Sequence, residues 1–253
     1  MGLVKFPTKE QTKQIQGVEP DYWGKWAKSF IEAQKYFADF AERVGMDAMM
    51  IGAEYEGTQP QNEMWKQVIE EVRKRYSGPI TYEFTGSATS VYDLEWFNEL
   101  DFLSYSYYPS AVPYTPEQVS SIEAVRATPD YSVEDMVAHL STRKPQIEEL
   151  SAHFGNKPVA FTEYGVRSAH GCIMRPYDFL WDTPYDGQQQ ADYIEASFRT
   201  FWELPQWMGF FWWKWDETQD RPHYKGDPNG DRGFTIQGKP AEDVMRKWIL
   251  KNK

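Results

Sequence analysis

The chain has 253 residues, 27 of them basic and 38 acidic, for a formal net charge of −11. A field of that sign repels polyanions and argues against nucleic acid as a partner, whereas a neutral polymer such as a polysaccharide meets no such barrier. The lone cysteine, Cys172, excludes an intramolecular disulfide and a cysteine-rich metal site. Four histidines, His139, His153, His170 and His223, lack the spacing of a zinc helix, so neither a metal nor another cofactor is expected. No apolar stretch approaches the ~18 residues of a membrane-spanning helix, so no membrane partner is expected. The start, MGLVKFPTKEQ, lacks the apolar run of a signal peptide, which leaves the address open between the cytoplasm and export by a leader preceding this numbering.

Residues 21–44 read as one amphipathic helix. Trp23, Trp26, Ala27, Phe30, Phe37, Phe40, Ala41 and Val44 recur at helical spacing, and Gly45 is a natural stop. A strand over 48–52 follows, then a loop carrying Glu54, then a helix over about 61–76 that Gly78-Pro79 brings to an end. Strand 80–84, a shorter helix near 91–99 and strand 102–107 continue the alternation. Residues 110–131 hold Pro113, Pro116 and Pro129 without a clean period and read as an irregular excursion. A helix over 132–154 is expected next, with Ser132 as its N-cap and Gly155 as its stop. Strand 159–162 leads to Glu163, a loop covers 167–187, and helix 188–202, strand 208–213 and helix 241–250 follow.

Strands alternating with helices argue for a parallel sheet with crossover helices, and the length is near the ~250 residues of a (β/α)8 barrel. From Ala48 onward the pattern supplies five strands, and Leu3 to Phe6 offers the remains of a sixth. A closed barrel needs eight. The expected fold is therefore α/β, a TIM (β/α)8-type barrel that is incomplete: about five or six parallel strands with outer helices, in a single domain over 1–253 whose N-terminal βα units are absent. Such a sheet has open edges, which invite self-association.

Two glutamates stand where strand gives way to loop: Glu54 in MMIGAEYEGT and Glu163 in PVAFTEYG. Loops that follow the strand C-termini converge on one face of such a barrel. Two carboxyl groups facing each other across that mouth are suited to act as acid and nucleophile on a glycosidic bond. Eleven tryptophans and sixteen tyrosines exceed the needs of a core of this size, and flat rings with a polar edge suit sugar faces. Those at strand ends stand out, namely Tyr107 and Tyr108 after one strand and Trp213 and Trp215 after the last. An oligo- or polysaccharide is the expected ligand.

With these motifs in place, the chain resembles the retaining glycoside hydrolases of the (β/α)8 clan, in particular the family 113 β-mannanases. The likeness is carried by IGAEYEGT around Glu54, LDFLSYSYYP around Tyr107, PVAFTEYGVRS around Glu163, GFFWWKWD around Trp213 and GFTIQGKPAEDVMRKW near the C-terminus. It runs over nearly the whole chain, apart from the excursion before Tyr131, and starts at about the family's third strand. The resemblance implies a retaining endo-β-glycosidase that hydrolyses β-1,4-mannan or a related hemicellulose by double displacement. It implies Glu54 as acid/base and Glu163 as nucleophile, a tyrosine at the Tyr107 end bonded to the nucleophile, and a tryptophan at the Trp213 end flooring the subsite of the attacked sugar. Chemistry asks for the same division, with the nucleophile kept ionised by donors such as the Tyr107 hydroxyl or Arg167.

One position departs from the clan's pattern. The clan places Asn just before the acid/base, where its amide binds the sugar 2-hydroxyl; here that residue is Ala53, with Glu56 close by. Together with the short N-terminus, this keeps open a second reading, a non-catalytic carbohydrate-binding or assembly protein with a degenerate glycosidase barrel. Other motifs carry less. Asp227, Asn229 and Asp231 imitate a calcium loop, but Arg232 and Gly238 occupy the positions of its glycine and glutamate, and DPNGDRG reads as a turn. Lys9 to Lys13 form a solvated cluster, and Ser168 with His170 lacks a nucleophile elbow.

Overall fold

The computed structural model describes residues 22–85, 90–216 and 230–251. Leu3 to Phe6, Lys9 to Lys13, Asp227 and Asn229 lie outside the described residues. The chain divides into two compact units, Met1–Ser106 with Leu150–Ala160, and Tyr107–Glu149 with Phe161–Lys253.

In the first unit, helix α1 (Tyr22–Val44) buries a stripe of Ala27, Ile31, Gln34, Ala38 and Ala41, and leaves Tyr36, Phe37, Phe40 and Val44 exposed. Strand β1 (Met49–Ala53) follows. Helix α2 (Asn62–Arg73) buries Met64, Trp65, Val68, Ile69 and Val72, one face of a 3.6-residue period. Strands β2 (Ile80–Phe84) and β3 (Leu103–Ser106) run parallel to β1, with Met49 opposite Ile80, Ala53 opposite Glu83 and Glu83 opposite Ser104. Trp65 stacks on Trp96 at 4.7 Å, and Tyr82 meets both rings edge-on. Such pairs add about 0.5–1.5 kcal/mol each beyond the area they bury.

The expected helix near 91–99 is instead two 3₁₀ segments, Val91–Asp93 and Glu95–Glu99. The cause is legible in the side chains. Val91, Leu94, Phe97 and Leu100 are buried at three-residue spacing, with Trp96 buried beside Phe97, and a 3₁₀ turn stacks such a row on one face.

In the second unit, the excursion over 110–131 holds a 3₁₀ turn, Glu117–Val119, and the short helix α3 (Ile122–Arg126), and no strand. The single helix expected over 132–154 is two, α4 (Val133–Ser141) and α5 (Lys144–His153). Pro145 separates them: it has no N–H for the Ser141 carbonyl, and its ring disfavours a continuing helix just before it. Ser132 caps α4 as expected, in a reciprocal box with Asp135. Strand β4 (Val159–Tyr164), helix α6 (Gly187–Phe201), strand β5 (Trp207–Trp212) and helix α7 (Pro240–Leu250) complete the fold. Phe198, Ile194, Ile236 and Trp248 form a core against which Trp207, Phe210 and Trp212 of β5 pack. Strict alternation would not put Trp207 on the same side as Phe210 and Trp212. Gly209, at a φ of +125° open to glycine, breaks the alternation between them.

The strands are hydrogen-bonded in the order β1-β2-β3-β4-β5, which is their order in sequence. Leu103 N–H donates to Pro158 O (2.8 Å) and Tyr107 N–H to Glu163 O (2.7 Å), so β3 and β4 advance in the same direction. Five parallel strands with surrounding helices form the incomplete (β/α)8-type barrel expected from the sequence, and β1 and β5 are the ends of the order among the described residues.

Candidate active site

The two glutamates are held by different means, each within its own unit. Glu54 is the residue directly after β1 and takes a φ of +56°. A left-handed conformation costs a non-glycine residue about 1–2 kcal/mol. The surrounding loop offsets that cost. Glu54 N–H donates to Glu83 O (3.2 Å) and Glu56 N–H to Glu54 O (2.9 Å). Tyr55 N–H donates to the Tyr82 hydroxyl (2.9 Å), and the indole N–H groups of Trp65 and Trp96 donate to Thr58 O and Gln59 O, both at 3.1 Å. The aromatic cluster of the first unit thus aims its polar edges at the 54–59 loop. Burial pushes the Tyr82 hydroxyl above its ordinary pKa, so it stays neutral. The Glu54 carboxyl itself is exposed.

Glu83 is a residue the sequence reading passed over. It lies in β2 opposite Ala53, only 6 % exposed, and its carboxylate comes within 4.8 Å of that of Glu54. The available signal was an acid inside ITYEF, a strand otherwise without charge.

Glu163 sits inside β4, half-buried, its carbonyl fixed by the Tyr107 N–H. The Tyr107 ring lies 4.6 Å from that of Phe161, and Tyr108 meets Phe234 edge-on at 6.4 Å. Next to Glu163, Tyr164 is fully buried, shares a hydrogen bond with Ser197 Oγ (2.7 Å) and stacks on Tyr193 and Phe210. The glycine that follows is required by a close approach. A Cβ on Gly165 would stand 2.3 Å from Trp213 O, and Trp213 N–H donates to Tyr164 O at 2.8 Å. Trp213 and Trp215 are 47 % and 54 % exposed, outside the helix-facing core. The peptide bond between Trp213 and Lys214 is cis.

The loop after β4 is tied down by charged groups. Arg167, expected as a donor near the nucleophile, donates from Nε to Arg232 O (3.0 Å) and from Nη1 to Trp181 O (2.5 Å) and Phe179 O (3.3 Å). Its guanidinium ties together two stretches of backbone, 179–181 and Arg232. Lys239, its side chain fully buried, donates to Asp231 Oδ2 (3.0 Å), Ser168 Oγ (2.9 Å) and Thr235 O (2.7 Å). Asp231, which the sequence reading placed in a turn, is therefore a partner of Lys239. Gln190 of α6 donates to Val166 O at 2.9 Å. Asp130, His170 and Asp186 cluster closely enough to suggest a metal. Both His170 ring nitrogens already face acceptors, Asp186 Oδ2 and Thr128 O, each at 3.1 Å, and Asp186 also caps α6. Burial raises the Cys172 thiol to about 11, which leaves it protonated and unreactive.

Residues 4–239 match the Glycoside Hydrolase Family 113. Among solved structures, the complex of a GH113 beta-1,4-mannanase superposes with a TM-score of 0.67 at 23 % identity, covering 90 % of this chain and 63 % of that one. The GH113 beta-mannanase AaManA from Alicyclobacillus acidocaldarius, in complex with ManMIm, gives 0.65 at 26 % identity, again over 90 % of this chain and 63 % of that one. A beta-glucuronidase from Ruminococcus gnavus shares the fold at a TM-score of 0.57 and 17 % identity, covering 89 % of this chain and 36 % of that one. The chain thus spans 63 % of the length of the two mannanases. No curated protein sequence matches it.

Proposed function

Because the chain belongs to Glycoside Hydrolase Family 113, we propose that it is a retaining endo-β-glycosidase acting on β-1,4-mannan or a related hemicellulose. The observation that carries this reading is the placement of the two glutamates: Glu54 directly follows β1 and Glu163 is the penultimate residue of β4, both strand C-termini of a parallel barrel fold. In such folds those ends carry the chemistry. Glu54 protonates the leaving glycosidic oxygen while Glu163 attacks the anomeric carbon. Water activated by Glu54 then releases the covalently held sugar with its β configuration retained.

The exposed rings of Trp213 and Trp215 support a sugar platform, with Tyr107, whose N–H donates to Glu163 O, and Tyr108 in the same unit. Arg167 contributes by holding the loop after β4, from which its role toward the nucleophile is indirect. The chain works as one domain over 1–253. Self-association through β1, an end of the strand order among the described residues, is the expected fate of this flank, where Phe37, Phe40, Met49 and Met50 of α1 and β1 line an apolar cavity of about 480 Å³. No described helix is long and apolar enough to cross a membrane.

Incubation with manno-oligosaccharides and an aryl β-mannoside, with the product anomer followed by NMR, tests the reading. Release of the β-anomer is expected. Initial release of the α-anomer would overturn retention, and binding without release would favour the non-catalytic carbohydrate-binding alternative.

A further inference from the structure

We propose that Glu83 is a substrate-binding residue that accepts a hydrogen bond from the 2-hydroxyl of the attacked sugar. The inference rests on the reading that Glu54 protonates the leaving oxygen. Glu83 lies within 4.8 Å of Glu54, carboxylate to carboxylate, in the same unit. An acid poised on the glycosidic oxygen places the anomeric carbon one bond away. Of the two ring neighbours of that carbon, one is the ring oxygen and the other is the carbon bearing the 2-hydroxyl. A second carboxylate at this distance from the acid is therefore matched to that hydroxyl rather than to one farther round the ring.

Two further features favour this role. Glu83 stands in register with Ala53, the residue that directly precedes the acid. Glu83 itself is only 6 % exposed, and glutamate is a rare choice at so buried a strand position. Breaches of this kind between local environment and residue type concentrate at functional sites. The carboxylate is an acceptor with two oxygens, and hydrogen bonds at the 2-hydroxyl tighten as the transition state forms. Glu83 would thus supply from β2 a side-chain contact that the methyl group of Ala53 cannot make from β1.

The test pairs variants with substrates. Glu83→Met removes both acceptors at similar size, and Glu83→Gln keeps one. Each is assayed on an aryl β-mannoside and on its 2-deoxy counterpart, after circular dichroism and thermal melting confirm folding. Glu83→Met is expected to lower kcat/KM about 10²-fold or more on the parent substrate and under threefold on the 2-deoxy one, with Glu83→Gln falling between. An equal loss on both substrates overturns the inference while leaving the proposed function standing. Calorimetric binding of manno-oligosaccharide and its 2-deoxy analogue to Glu163→Gln, with and without Glu83→Met, requires no turnover. Should the unaltered chain cleave nothing, the proposed function fails, and this binding comparison decides Glu83 by itself. A 2-hydroxyl preference that disappears with Glu83→Met supports the role; a preference that persists, or no preference at all, overturns it. If Glu83→Met does not fold, Glu83→Gln carries the same comparison, with a loss confined to the 2-hydroxyl substrate expected and an equal loss on both overturning it.

Discussion

Glu54 and Glu163 occupy the same kind of place, a strand C-terminus, yet the chain fixes them by opposite means. Glu54 stands exposed on a left-handed residue, and its loop is held from beneath by uncharged groups: the Tyr82 hydroxyl and the indole N–H groups of Trp65 and Trp96. Glu163 is inside a strand, and the loop beyond it is anchored by Arg167, Lys239 and Asp231. The contrast suits the proposed division of labour. A nucleophile must meet one carbon along one line, so a place within the sheet serves it. An acid/base must give a proton in one step and take one from water in the next, which an exposed carboxyl on a turn allows.

Removing the nucleophile is the strongest challenge to this contrast. Glu163→Ala should lower turnover by about 10⁴-fold or more on every substrate, because no covalent intermediate forms without it. Steady-state kinetics on aryl β-mannosides with good and poor leaving groups would check this. Uniform loss is expected, and residual activity on activated substrates would contradict it. Glu54→Ala should behave differently on the same panel. Poor leaving groups should lose about 10²–10⁴-fold, and good ones little in the glycosylation step, since they need little protonation. If the two variants show the same pattern, the glutamates do not differ in role.

Gly165→Ala tests how Glu163 is positioned. The new Cβ would collide with Trp213 O, so either the end of β4 or the Trp213 segment must shift. A displacement of about 1 Å near the chemistry can cost on the order of 10²-fold in rate. That loss is expected in kcat, with near-native circular dichroism. Trp213→Ala should act more weakly and on binding: oligosaccharide affinity falls by about tenfold, the scale of one lost aromatic contact. Because the ring is half exposed, the melting temperature should move little. A large fall in melting temperature with unchanged affinity would return Trp213 to the packing.

Most of the fold was legible because it follows from local periods. Five strands, the cap at Ser132 and the end of α1 before Gly45 all come from residues within a few positions of one another. Two departures also had local causes that the pattern underweighted, the three-residue period from Val91 to Leu100 and the break before Pro145. The positions of Glu54 and Glu163 at strand ends were legible in the same way. Glu83 was not, because its significance depends on register. Ala53 and Glu83 are thirty residues apart, and only the pairing of β1 with β2 makes them neighbours. Tyr82 and Trp96 were equally hidden. As letters they are core aromatics; their role in holding the 54–59 loop lies in a hydroxyl and an N–H whose direction no period encodes. Arg167 shows the converse, since its position near Glu163 in sequence suggested a donor, whereas its hydrogen bonds go to backbone carbonyls.

The smallest expected effect sharpens the contrast between the two supports by pH. Asp231 is subject to burial, which alone would raise its pKa. The Thr235 hydroxyl, the Gly233 N–H and the Lys239 ammonium outweigh burial and hold it below the ordinary value of 3.8. A carboxylate depressed in the folded state contributes stability that is present above its unfolded pKa and is lost as pH falls through its folded pKa. The contribution is about 1 kcal/mol or less, and its window lies below about pH 4. Lys239 does not share that window. Burial lowers its pKa from 10.5, with Asp231 opposing, so the cost of keeping it charged is present at neutral pH and is relieved only as pH rises. The 54–59 loop has no ionic support of this kind in its contacts to Tyr82, Trp65 and Trp96. Hydrogen exchange measured from pH 6 down to pH 3 and corrected for intrinsic rates should therefore show protection falling around residues 165–170 and 231–236 before it falls around 54–59. Asp231→Asn should lower protection of the first two segments at pH 6 and flatten their pH dependence. Parallel loss of protection in all three segments would mean that the two glutamates share one support after all.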